Sequence, residues 1–286
     1  MTFSIAARSA DGTQYGVAVA SKFLAVGAAV PAAAAGIGAV ATQAMANLGY
    51  RPAGLALLRD GEPPELVLAE LTAGDDDRAH RQVGVVGTTG PGATDTGSSC
   101  FAWAGGVAGE GALGDAYAIQ GNILTGPEVV EAMQLAFVAT DPYAPLADRL
   151  RAALFAGDRA GGDRRGRQSA ALLVVTPGGG YGGGSDVLVD LRVDDHPDPV
   201  VELGRLLRLY ELYFHRPDPA DCLPLTGALA REVDERLTAL GHGVGATGLD
   251  GALADWAGIE NLEERLLPGV IDPVVLAHLR GQEVTP

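Results

Sequence analysis

Thr2-Phe3-Ser4-Ile5-Ala6-Ala7, an Asp11-Gly12 turn and Tyr15-Gly16-Val17-Ala18-Val19-Ala20 open the chain and decide its fold class. Both runs tend toward the period-two alternation of a strand, and Asp-Gly reverses one strand onto the next. The pair reads as an N-terminal β-hairpin. Working outward, residues 23 to 50 carry no charge and are rich in Ala and Gly, interrupted by Pro31, Gly36 and Gly38. Such a stretch is too weakly apolar for a membrane span and reads as further buried strands whose small side chains let two layers approach closely. A strand-like segment, Thr2 to Ala7, and the Asp11-Gly12 turn come first where a secretory signal has a positive n-region, so no such signal is expected and the cytoplasm is the expected address.

Downstream the grammar alternates. Pro52 opens a helix over 53–59 and Pro63-Pro64 another over 65–71. Strands are expected at 82–86, around Phe101 to Trp103 and at 117–120. Thr125-Gly126-Pro127-Glu128 has the form of a capping box ahead of Val129, Val130, Met133 and Phe137. A companion helix runs from Pro145 to Ala156 and stops at Gly157. Segments 170–175 and 187–193 form a late hairpin around the glycine-rich loop 178–184, and Asp198-Pro199 starts a long helix. This order suits two stacked sheets between helix layers. A linker near residue 216 then leads into a small helical unit with helices at 225–240, 249–257 and 274–280, giving two domains, 1–214 and 217–286. Two domains also suit 286 residues.

Composition narrows the function. A hydrophobic content of 47% with 20% charged residues is that of a globular chain, and a net charge of −16 disfavours nucleic-acid and membrane-surface partners. Cys100 and Cys222 are too few for a metal or disulfide framework and read as buried thiols. Lys22 is the only lysine among 20 basic residues.

Thr2 is the candidate nucleophile. A small second residue permits removal of Met1, and the α-amine so exposed, with a pKa of about 7.7–8.0, can take the proton of its own hydroxyl. Lys22, at the end of the second strand, could stabilise the alkoxide. The alternative is that Thr2 starts an edge strand and Lys22 is a solvated strand end. Ser21 could relay a proton, although alternation puts it on the face opposite Lys22, so that a bulge would be needed. Asn122 can serve as an oxyanion donor or as a turn residue. His80, Arg81, Asp163, Arg164, Arg167 and Gln168 sit beside expected strand ends and suit an anion pocket, with Arg164 and Arg167 as the carboxylate clamp. The same residues also suit a surface ion-pair network reaching Asp190, Asp194 or Asp195. No metal and no cofactor is expected, since Arg192 lies between Asp190 and Asp194 and the 178–184 loop lacks a phosphate-loop ending.

The motifs Thr2 to Arg8, Gly16 to Phe23, Gly36 to Gln43, His80 to Val85, Gln120 to Leu124 and Gly161 to Ser169 resemble, in order, a family catalogued as domain of unknown function 1028 and related to the N-terminal-nucleophile (Ntn) hydrolases. The resemblance implies a four-layer αββα sandwich. Residues 237–243, 256–265 and 271–273 resemble a helical domain thought to bind peptidoglycan. The competing reading is a cap burying Leu237, Trp256 and Leu276 against the first domain or a second subunit, and a homo-oligomer is expected. The expected function is therefore an amidohydrolase acting on a small, carboxylate-bearing amide or peptide. The alternative is a non-catalytic protein that binds a ligand or cell-wall fragment on the same fold.

Overall fold

The computed structural model describes residues 2–281. The opening hairpin forms as read: β1 (Thr2–Arg8) and β2 (Tyr15–Ser21) pair antiparallel, with Phe3 opposite Ala20 and Arg8 opposite Tyr15. The uncharged stretch supplies α1 (Val26–Ala29), β3 (Pro31–Ala34) and β4 (Gly38–Ala44). Then come α2 (Tyr50–Arg59), α3 (Pro64–Ala73), a 3-10 turn at Arg78–His80, and β5 (Arg81–Val86). β6 (Ala93–Thr96), β7 (Gly105–Glu110) and β8 (Ala116–Asn122) precede α4 (Glu128–Ala139) and α5 (Leu146–Arg159). β9 (Ser169–Val175), β10 (Val187–Val193) and α6 (Pro199–Phe214) follow.

These strands make a six-stranded sheet, β10-β9-β2-β1-β8-β7, and a four-stranded sheet, β3-β4-β5-β6. The sheets lie face to face, β1 and β2 against β4 and β3, and β8 against β5. α4 and α5 cover the outer face of the larger sheet, while α2 and α3 cover that of the smaller. Ala6, Val17, Val19, Ala39 and Ala41 fill the gap between the sheets, where small side chains permit close approach. β1 lies inside its sheet, between β2 and β8, so Thr2 begins a central strand and not an edge.

Several local expectations are corrected. Phe101 to Trp103 lie in a loop, and the strands of that region are β6 and β7. Pro127, not Thr125, stands at the N-cap of α4, and no side chain caps it. α5 runs through Gly157, where an added Cβ would stand 2.6 Å from the Met133 Cγ. That glycine serves close helix packing, not termination. Both thiols are half-buried instead of buried.

The chain divides into units Met1–Arg205 and Leu206–Pro286, the division falling within α6. The second unit holds β11 (Leu223–Pro224), α7 (Gly227–Ala239), α8 (Gly248–Ile259), β12 (Val270–Ile271) and α9 (Pro273–Gly281). Leu237, Trp256 and Leu276 are buried in this unit's own core, with Val233, Leu253 and Val275. Arg265, buried with Asp272, ties that core to the carbonyls of Glu211 and Leu212. Among the described residues no helix is long and apolar enough to cross a membrane.

At Gly84 on β5 the two sheets meet without a side chain from β5 between them: an added Cβ would collide with the Gln120 amide of β8. Gly84→Ala must push apart a buried side chain held at both ends, and it is expected to cost about 1–3 kcal/mol. Urea unfolding followed by circular dichroism checks this as a lowered midpoint with an unchanged slope.

Candidate active site

One end of the sandwich gathers the start of β1, β5 and β9 and the end of β2, β4 and β8. The register is explicit: Thr2 stands opposite Asn122, Ser21 opposite Ser169, and Ala44 opposite Arg81. Alternation along β1 puts Thr2 on the same inner face as Ser4 and Ala6. Along β2 it puts Ser21 on the face of Val17 and Val19, so the Thr2 and Ser21 hydroxyls meet at 3.1 Å in a buried setting. No bulge is required. Lys22 continues on the other side: its backbone N–H donates to Asp163 at 2.8 Å, and its exposed ammonium donates to the Arg167 carbonyl at 3.2 Å. Its hydrogen bonds go to the 163–167 loop and not to Thr2.

Behind Thr2 lies a layer of buried amides that sequence reasoning missed. Gln43 on β4 accepts from the Ser4 hydroxyl at 2.7 Å and donates to the Thr2 carbonyl at 3.2 Å and to Gln82 at 2.7 Å. Gln82 on β5 donates to the Gly121 carbonyl at 2.8 Å and to Thr96 at 2.9 Å, and its oxygen accepts from the Asn122 Nδ2 at 3.0 Å. Gln120 on β8 donates to Ser4 at 2.7 Å and accepts from Thr94 at 3.1 Å. Each glutamine lies inside a strand with Ala44, Val83 or Ile119 beside it, and that is the one signal the sequence carried.

Asn122 also lines a cleft of about 170 Å³ with Ala44, Met45, His80, Ser99, Cys100, Phe101, Ile123 and Arg165. Two residues bordering it hold left-handed backbone without being glycine, Ala44 at φ 71° and Ile123 at φ 51°. For a β-branched residue that conformation is costly, and such positions concentrate at functional sites. The loop after α5 is strapped to this wall. Leu124 and Asp163 form a β-bridge, and the Arg164 N–H donates to the Ile123 carbonyl at 3.3 Å. Asp163, itself buried, accepts the Arg165 N–H at 2.7 Å and pairs with its guanidinium at 3.4 Å.

The remaining candidates divide between cleft and scaffold. His80 lines the cleft. Arg81 does not: it is ion-paired to Asp75 at 3.0 Å and to Asp77 at 3.3 Å, and also donates to the Met45 carbonyl. Arg167 is bidentate to Asp158 at 2.7 and 2.9 Å, and Gln168 donates to Asp195 at 3.2 Å. Arg164 is exposed. The ion-pair reading therefore describes Arg81 and Arg167, although Arg167 takes Asp158 and Asp198 in place of the acids expected. Burial pushes the Cys100 thiol pKa up, and its sulfur donates to the Arg81 carbonyl at 3.3 Å, which makes it a poor nucleophile. Among the described residues no three His, Cys, Asp or Glu side chains gather to hold a metal ion.

Comparison with known proteins places this geometry in context. The model of a family described as "Family of unknown function (DUF1028)" matches residues 2–203, and one described as "Putative peptidoglycan binding domain" matches residues 213–279. The crystal structure of a protein from Silicibacter pomeroyi, assigned to the same DUF1028 model, is similar at 32% identity and a TM-score of 0.63. The match covers 80% of this chain and 88% of that one. None of the curated proteins matches.

Gln82→Leu orphans several buried groups at once, and a loss on the order of 3 kcal/mol is expected in urea unfolding. A second expectation concerns acid. The Arg81 guanidinium foremost, with Asn47 and Tyr50, holds the Asp75 carboxyl well below the usual carboxylate range. Its contribution is then complete above about pH 4 and is lost as pH falls below that toward the folded value. Asp75→Asn should be less stable at pH 7 and should lose less further stability between about pH 5 and 2 than the unaltered protein. Equal acid slopes for the two proteins in parallel titrations would overturn the idea.

Proposed function

Because the chain belongs to the family of unknown function DUF1028, whose description supplies no chemistry, we propose from the geometry that it is an Ntn-type amidohydrolase with Thr2 as nucleophile. The observation that carries this reading is the buried Thr2 hydroxyl, 3.1 Å from the Ser21 hydroxyl and paired in register with Asn122, which borders the cleft. Two sheets face to face between helix pairs suit the same reading, as does the start of β1 at their shared end.

Removal of Met1 turns the Thr2 nitrogen into a free amine. That amine takes the hydroxyl proton while Oγ1 adds to the amide carbonyl of the substrate. The Asn122 Nδ2 spends one hydrogen on Gln82 and has a second for the oxyanion. Ser21 holds the hydroxyl's rotamer. The C–N bond breaks as the ammonium returns its proton to the leaving amine. Water, deprotonated by the same amine, then hydrolyses the ester, releasing a carboxylic acid and restoring Thr2. Lys22 acts at a distance, by fixing the 163–167 loop.

A binding role for the second unit, towards a cell-wall glycan or peptide, is supported by the match over residues 213–279. It is compatible with catalysis in the first.

The test is incubation of the full chain with an amide-mimicking β-lactone, followed by intact and peptide mass spectrometry. The expected result is one adduct on an N-terminal Thr2 in material lacking Met1, absent from Thr2→Ala. Label on another residue, or no label on protein shown to begin at Thr2, would overturn the hydrolase reading.

A further inference from the structure

The cleft beside Asn122 has a composition at odds with the rest of the molecule. The protein carries 36 acidic against 20 basic residues, yet no carboxylate is among the residues lining the cleft, and its ionisable groups are His80, Arg165 and the Cys100 thiol. Arg165 is not a loose surface arginine. Asp163 receives its backbone N–H and touches one edge of its guanidinium. Asp163 in turn is fixed by the Lys22 N–H and by its bridge to Leu124. The guanidinium therefore stands on a rigid strap against the 122–124 wall, with 45% of the side chain exposed. A planar guanidinium held in this way, with nearly half the side chain exposed, suits a carboxylate.

The rest of the lining says what accompanies that charge. Met45 and Phe101 are 57% and 69% exposed and line the cleft, so they offer apolar surface to a ligand. A volume of about 170 Å³ falls below the roughly 300–1,000 Å³ of drug-sized sites, which restricts the occupant to a small molecule.

We propose that this cleft is the substrate's carboxylate subsite, with Arg165 as anchor and His80 as a second donor. The class of substrate it selects is a small N-acylated amino acid with an apolar side chain. This assignment rests on the hydrolase reading for the placement of the scissile amide, but the subsite itself is testable by binding alone. Arg164 and Arg167, the clamp that loop position suggests, are replaced in this role by their neighbour.

Titration calorimetry on the full-length Thr2→Ala protein, with N-acetyl-L-leucine against N-acetyl-L-leucinamide, separates the two ideas, because no turnover is needed. The acid is expected to bind at least tenfold more tightly than the amide. Arg165→Gln in the same background should abolish the difference, and Arg59→Gln, on the exposed end of α2, should leave it intact. Equal affinity for acid and amide, no saturable binding of the acid, or unchanged discrimination in a folded Arg165→Gln protein would each overturn the subsite, while lactone labelling of Thr2 would stand. Binding with the expected discrimination but no label at Thr2 would retain the anion subsite and remove the hydrolase.

Discussion

The hydrogen bonds that run from sheet to sheet through Gln43, Gln82 and Gln120 are the constraint on which the site depends. They lie in an otherwise Ala- and Val-lined gap, where an unpaired amide is expensive, so each nitrogen and oxygen must face its own partner. The accounting leaves little choice of orientation. Gln43 donates to the carbonyls of Thr2 and Gln120, so its oxygen must turn to the Ser4 hydroxyl. Gln82 donates to the carbonyls of Gly105 and Gly121, so its oxygen must face Gln43 and Asn122. The Asn122 side chain thus presents nitrogen, not oxygen, to Gln82, and its second hydrogen is aimed by a framework on the opposite sheet. The geometry of the site and the stability of the sandwich draw here on the same bonds.

The hairpin, the proline-opened helices and the α/β layering were legible because period and turn chemistry act locally. The amide layer was not. Alternation alone marks a polar strand residue as solvent-facing, and only the stacking of a second sheet buries that face as well. The loop residues show the other limit. Arg164, Arg165 and Arg167 are interchangeable by composition, and what separates them is the bridge between Leu124 and Asp163, a contact between segments some 40 residues apart. The expectation that failed at Phe101 took aromatic residues for strand, whereas the residue is exposed at the cleft. Alternation did separate Ser21 from Lys22, and the structure keeps them apart in their partners.

Arginine accounts for much of the remaining order. Arg8 donates to the carbonyls of Gly87 and Gly114, and Arg149 meets Asp115 at 2.7 Å beneath the Phe137 ring. Arg265 does the same with Asp272 in the second unit. A flexible ammonium could not satisfy several acceptors in one plane as these guanidinium groups do. Removing one member of such a buried pair leaves the other charge uncompensated, at a cost of about 3–5 kcal/mol.

The central position of β1 has a consequence for how the protein is made. The hairpin is translated well ahead of both its sheet neighbours, β8, which ends at Asn122, and β9, which begins at Ser169. At about 5–20 residues per second the hairpin waits roughly 5–20 seconds for β8, and longer for β9, with both flanks unpaired. During that interval the open edges of β1 and β2 are exposed to wrong pairing, until β8 and β9 arrive to cover them.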